Sequence, residues 1–152
     1  MNDLNPPIFL LAAFSSAFPN RQPTHIIHVP GRSMWIAAST EQTAHYNIHV
    51  PDLDSRTSFS LRSARVKKTV LNRPLPRWAR YPAGVIRTLC ANGMYIDGVD
   101  TVVVGEEAQG LRYEYGLGIA IAALWHHLTD TPYGDDTLRD LVERVRRDYV
   151  EA

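Results

Sequence analysis

The stretch that decides the fold is Val99-Asp100-Thr101-Val102-Val103-Val104-Gly105-Glu106-Glu107-Ala108-Gln109-Gly110-Leu111-Arg112-Tyr113-Glu114-Tyr115-Gly116-Leu117-Gly118-Ile119-Ala120-Ile121-Ala122-Ala123-Leu124-Trp125-His126-His127-Leu128. Val99–Val104 is a short, β-branched apolar run, which reads as a buried strand. Gly116–Leu128 is nearly all apolar, so a helix there belongs in the core. Between them Gly105–Tyr115 reads as a polar loop holding Gly105 and Gly110. A buried strand feeding a buried helix needs further layers around both.

The flanking sequence supplies those layers. Ile8–Phe18 suits a short helix after Asn5-Pro6-Pro7, ended by Pro19-Asn20. His25–Val29 and Ser33–Ala38 read as two strands turning at Pro30-Gly31, and Ala44–Val50 as a third, closed by Pro51. Thr57–Arg62 alternates as a half-buried strand, and Val66–Leu71 reads as one more. Trp78 opens a helix to about Ala91, with Tyr81, Val85, Ile86 and Leu89 inward and Asn92-Gly93 as its stop. After the turn at Asp130–Asp135, Asp136 or Thr137 caps a last helix to about Val150. Its buried stripe is Leu138, Leu141, Val142, Val145 and Tyr149. Strands early and helices late define an α+β class.

Composition narrows the function classes. The 152 residues are 45% hydrophobic and 21% charged, which fits one globular domain over 1–152 with a real core. Sixteen basic and sixteen acidic residues cancel, so no global charge recruits nucleic acid or anionic lipid. No apolar run nears the roughly 20 residues of a membrane span, and the N-terminus lacks a basic leader. The lone Cys90 rules out an internal disulfide or a multi-cysteine zinc site, and a cytoplasmic location is the expectation.

The zero net charge conceals segregation. Ser55–Ile96 holds no Asp or Glu but nine basic residues: Arg56, Arg62, Arg65, Lys67, Lys68, Arg73, Arg77, Arg80 and Arg87. Asp97–Ala152 holds twelve acids against five arginines. No nucleic-acid motif accompanies the basic segment, so the segregation reads as complementary elements meeting within the fold or across an interface. His45 and His49 stand at i, i+4 and could share a strand face, whereas His25 and His28 would face oppositely; no carboxylate or thiolate is patterned around them, so no metal is expected. Cys90 reads as buried and inert.

Four blocks carry a family resemblance: Leu10, Phe14 and Phe18 on the opening helix; His28-Val29-Pro30-Gly31-Arg32; Trp78-Ala79-Arg80-Tyr81-Pro82-Ala83-Gly84-Val85; and Ile96-Asp97-Gly98-Val99-Asp100 running on to Arg144–Val150. In this order they resemble the N-terminal half of galactokinases, in the GHMP small-molecule kinase superfamily. The resemblance runs from about Leu10 to Val150, with Glu41–Arg62 shortened. It implies a two-layer α+β fold like ribosomal protein S5 domain 2, including a left-handed β-α-β crossover. It also implies a glycine-serine loop for ATP phosphates and a sugar site after the Pro-Gly-Arg turn.

The chain departs from that pattern where the chemistry lies. The stretch matching the phosphate loop is Ala108–Leu117, in which Gly110 is kept, Arg112 replaces the second glycine, and Glu114, Tyr115 and Gly116 replace the serines. Bulky residues block backbone approach to a phosphate. A carboxylate about 4 Å from one costs about 4 kcal/mol at an effective dielectric of about 20. Glu106 and Glu107 add charge upstream, Arg112 offsets some of it, and the loop reads as a solvated turn with Tyr113 and Tyr115 capping an apolar edge. At the vestigial sugar site Arg32 is kept, while the acid-rich signature falls on Ala38, Ser39 and Glu41. The catalytic aspartate of the family lies beyond the matching segment. The expectation is therefore a catalytically inactive half-domain without a cofactor, acting as a binding module in a homo-oligomer or with a separate protein partner. One alternative is a subunit of a split sugar or metabolite kinase using Mg-ATP. Another is a small-molecule sensor reusing Arg32, Glu41 and the tyrosines.

Overall fold

In the computed structural model, which describes residues 6–41 and 43–152, the apolar run becomes the central strand of a five-stranded sheet. The chain order is α1 (Ile8–Ala17), β1 (His25–His28), β2 (Met34–Ser39), β3 (Tyr46–Val50), β4 (Ser55–Phe59), α2 (Leu61–Arg65), α3 (Arg80–Ala91), β5 (Val99–Gly105), α4 (Leu111–Leu128) and α5 (Asp135–Val145). The strands lie in the order β1-β2-β5-β3-β4. β5 pairs antiparallel with β2 and parallel with β3, so both of its edges are hydrogen-bonded. Its residues are buried from Val99 to Val104, which is why the segment tolerates almost no polar side chain.

Alternation distributes these side chains between two cores. Val99 and Val103 join Met34, Ile36, Tyr46 and Ile48 beneath α3, α4 and α5. Val102 and Val104, with Ala37, pack on the other face against Leu10 and Phe14 of α1. α4 is buried from Gly116 through His126, as its apolar sequence requires, and Trp125 Nε1 donates to Met94 O at 3.0 Å. Gly84 of α3 lets α5 and the following turn approach. A Cβ there would lie 2.5 Å from Val145 Cγ1 and 2.7 Å from Tyr149 Cδ2.

Several boundaries differ from the sequence expectation. Val66–Leu71 is not a strand. Ser60 and Ser63 each accept the other's backbone N–H at 3.0 Å, a reciprocal cap that stops β4 at Phe59 and starts α2. The chain then turns at Lys67 (φ 58°) and crosses the edge of β4, where Val70 N–H donates to Ser58 O at 3.0 Å. The final helix starts at Asp135, and Thr137 works from inside it by accepting from Gly134 N–H at 3.2 Å. From Arg146 the helix widens into a π-type turn ending at Val150, with the Tyr149 hydroxyl donating to Ala64 O. The Gly105–Tyr115 loop is shorter than expected, because α4 begins at Leu111. Asn5, placed before the first helix, lies outside the described residues, as does Gln42. No described helix is long and apolar enough to cross a membrane.

Gly84→Ala tests the close approach of α3 and α5. Helix propensity alone would stabilise the variant by about 1 kcal/mol. Overpacking against Val145 and Tyr149 outweighs this, and the expected net loss is about 1–2 kcal/mol, read as a lower urea midpoint at unchanged slope. A raised midpoint would show that the two helices separate at little cost.

Candidate functional site

The turn Pro30–Ser33, the end of β3 and the loop after β5 converge on a cleft of about 800 Å³, bordered by Arg32, Ser33, Trp35, Asp52, Gly105 and Glu106. Gly31 takes a positive φ of 70° and swings Arg32 out of the β1–β2 turn. Met34 is paired with Gly105, so Arg32 stands next to the β5–α4 loop. Its guanidinium forms an ion pair with Glu107 Oε1 at 2.6 Å, and it also lies 5.7 Å from the centre of the Tyr115 ring. Arg32 and Glu107 are both largely buried, which makes this pair stronger than an exposed one. Arg112 approaches the same Glu107 oxygen at 3.5 Å from a far more exposed position.

Asp52 organises the loop from the opposite side. It sits in the single turn Pro51–Leu53 that follows β3. Its Oδ2 accepts from the Gly105 backbone N–H at 2.8 Å and from the Tyr113 hydroxyl, while its carbonyl accepts from Gln109 Nε2 at 2.7 Å. Glu106 N–H donates to Ser33 O at 2.9 Å. The loop is thus pinned by Ser33 on one side and by Asp52 on the other, through its first residue, through Gln109 and through the first turn of α4.

The loop positions named from sequence now have places. Gly105 ends β5, and Gly110 precedes α4 with φ 132°, a value that favours glycine. Arg112, Tyr113, Glu114 and Tyr115 belong to the first turns of α4, so the expected solvated turn is corrected to helix. Tyr113 is fully buried and does not cap an exposed edge. Burial first, and then its bond to the Asp52 carboxylate, push its phenol far above the ordinary tyrosine value. Tyr115 packs edge-on against Tyr81, with ring centres 5.8 Å apart. Glu114 is turned to Arg77 Nε at 3.2 Å. Gly116 abuts Arg32, since a Cβ there would meet its Nη1 at 2.8 Å.

The sugar-site positions are not brought together. β2 stays extended and paired through Ser39 with Asp100, which leaves Arg32 at its head and Ser39 and Glu41 at its far end. The strand Met34–Ser39 alone spans about 17 Å, which keeps Ser39 far from Arg32. Ser39 Oγ instead accepts from Glu41 N–H at 3.4 Å, next to a polar cluster around Asp100. There Arg21 Nε pairs with Asp100 Oδ2 at 2.9 Å, and Asn47 Nδ2 donates to Asp100 Oδ1 at 2.8 Å. His49 shows a lowered pKa from burial and then from the Arg56 charge, and no group of three potential metal ligands exists among the described residues. Sequence reasoning missed Asp52. Its signal was the Val50-Pro51-Asp52 step, an acid in a proline turn at a strand end.

No protein-family model matches the sequence, and no curated protein does. Solved structures do share the fold. The mixed α+β arrangement around one five-stranded sheet is that of the GHMP kinase N-terminal domain, with α1 covering the second face of the sheet where the sequence reading expected two layers. Lactococcus lactis galactokinase complexed with galactose superposes with a TM-score of 0.70 at 16% identity, over 95% of this chain and 42% of that one. A mevalonate kinase gives 0.57 at 13% identity, over 76% and 37%, and Methanococcus jannaschii mevalonate kinase 0.55 at 13%, over 75% and 36%. The chain therefore spans less than half the length of each of these kinases.

The tyrosine–aspartate contact has a pH signature. An unfolded tyrosine ionises near pH 10, whereas folded Tyr113 holds its proton well above that. Its contribution to stability is complete below about pH 10 and is lost as pH rises further, because the unfolded chain sheds the proton first. Tyr113→Phe should flatten the alkaline fall in the urea midpoint between about pH 9 and 11. An unchanged slope would place the Tyr113 hydroxyl in contact with solvent.

Proposed function

We propose that this protein is a galactokinase-like binding module without kinase activity, working as a homo-oligomer or with a separate protein partner. The observation that carries the reading is the self-occupied loop between β5 and α4. A phosphate-binding loop needs free backbone donors and an uncommitted cation. Here the Gly105 N–H is bonded to Asp52, and Arg32 is bonded to Glu107. A nucleotide phosphate entering the loop would have to displace two carboxylates from buried partners and then sit beside them. These residues do not fit ATP and Mg²⁺, so no phosphoryl-transfer step is assigned to them.

Support for association comes from α1. Its Leu10 and Phe14 face the sheet, yet Ile8 is 85% and Phe9 56% exposed, and the helix bears no charged residue. The exposed side of this helix is apolar apart from Ser15 and Ser16, and an exposed apolar patch of that kind normally marks a contact surface. The exposed side of α1, beside the half-buried Trp35, is the surface we assign to self-association or to a partner.

Calorimetry with Mg-ATP at about millimolar nucleotide should show no saturable heat. Sedimentation at about micromolar chain should show a species larger than the monomer, and Phe9→Glu should return it to monomer. Micromolar nucleotide affinity with phosphate transfer to a sugar would support the split-kinase reading instead. A strict monomer that captures no partner would remove the association part.

A further inference from the structure

The other end of α1 borders a second recess, of about 460 Å³, which shares no lining residue with the cleft at Arg32. Its volume lies within the range of small-molecule pockets, about 300–1,000 Å³. Phe18, Leu71, Pro74 and Pro76 give it an apolar lining, and Asn47 and Ser58 a polar one.

Two arginines, Arg56 and Arg73, are among its lining residues. Neither forms an ion pair among the described residues. The local sequence offers no counter-charge, since Ser55–Ile96 holds no acid. Arg56 uses one nitrogen to reach Ala17 O at 3.3 Å and lies 5.9 Å from the centre of the Phe18 ring, which sets its plane beside an aromatic surface. Its remaining donors are available for a planar or tetrahedral oxyanion.

The recess is formed in advance of any ligand. Thr69 N–H donates to Arg73 O at 2.7 Å, and Thr69 Oγ1 accepts from Leu71 N–H at 3.2 Å and Arg73 N–H at 3.3 Å. Val70 N–H fastens this turn to β4 through Ser58 O at 3.0 Å. Arg73 is therefore carried on a tied loop.

The geometry points to a binding site for a small molecule with a flat apolar body and an oxyanion head, carboxylate or phosphate. The body lies against Phe18 and the prolines, and the head between Arg56 and Arg73. This site is independent of the reading of the cleft and stands whether or not the protein oligomerises.

The test is an NMR titration of the full chain with 2-naphthoate, 2-naphthyl phosphate and the neutral 2-naphthamide. The expected result is saturable shifts of the backbone amides of 56–58 and 69–73. At least one oxyanion should bind about tenfold or more tighter than the amide, and comparing the two oxyanions identifies the head group. Arg56→Gln and Arg73→Gln, both exposed positions, should each weaken oxyanion binding about fivefold and leave binding of the amide unchanged. The proposal is overturned by equal affinity for all three probes, or by shifts that map to Gly31–Ser33 and Gly105. It is equally overturned by no shift at about millimolar probe, or by a glutamate-rich peptide that moves these signals when neither naphthyl oxyanion does.

Discussion

β5 is the constraint on which the rest of the structure depends. It is paired on both edges and covered on both faces, so the chain must provide β2 and β3 beside it, α1 on one side and the α3–α5 layer on the other. A central strand with these neighbours cannot shift by one residue, since that would turn the Asp100 carboxylate away from its polar partners and into the core beneath α3–α5. Its fixed register also fixes where its end falls. Gly105 is set opposite Met34, and the loop that follows must begin beside the Pro30–Ser33 turn. The one charge within the strand, Asp100, is tolerated because Arg21, Asn47 and Thr43 all address it.

The cleft inherits its character from this placement. Pinned at Gly105, the loop needs partners for its donors, and the turn after β3 delivers a carboxylate to them, since β3 runs parallel to β5 and ends beside it. The second carboxylate, Glu107, comes from the loop itself and neutralises Arg32. Asp52, Arg32, Glu107 and Arg112 at the mouth of the cleft are thereby each engaged with another group of the same chain, while the Glu106 side chain is exposed. The proposal of a module without kinase activity rests on that internal closure more than on any single replacement in the sequence.

How much of this was legible beforehand varied with the range of the signal. The central strand and the core helix could be read from composition because burial imposes an apolar sequence at most positions, with Asp100 and Thr101 of the strand held by polar partners. The helix at Trp78 could be read because Tyr81, Val85, Ile86 and Leu89 recur at helical spacing. The strand expected at Val66–Leu71 failed because the Ser60–Ser63 cap starts α2 and the chain then breaks at Lys67, whose φ is 58°. The start of α4 was misplaced because Arg112, Tyr113 and Glu114 look like loop residues by polarity. Their helical state is decided by tertiary contacts: Tyr113 is drawn inward to Asp52, and Glu114 sits across from Arg77. Asp52 itself, more than fifty residues away in sequence, could not be joined to the loop by any local pattern. The separation of Arg32 from Ser39 and Glu41 likewise depends on β2 staying straight, which pairing with β5 enforces.

The same physics explains why such a loop can lose its ligand and still keep its shape. A helix N-terminus carries partial positive charge and unpaired N–H groups, so something negative is favoured near it. In a phosphate-binding loop that charge arrives with the ligand, and the empty loop is left under-satisfied. Here Glu114 lies in the first turn of α4, and Asp52 reaches the loop and that turn from β3. Carboxylates supplied by the chain stabilise the fold permanently, where a phosphate would do so only while bound. An outside anion entering here would have to displace Asp52 from Gly105 N–H and Glu107 from Arg32, and would then meet the repulsion of the displaced carboxylates. Arg56 and Arg73, by contrast, form no ion pair among the described residues, so an anion that reaches them displaces no carboxylate.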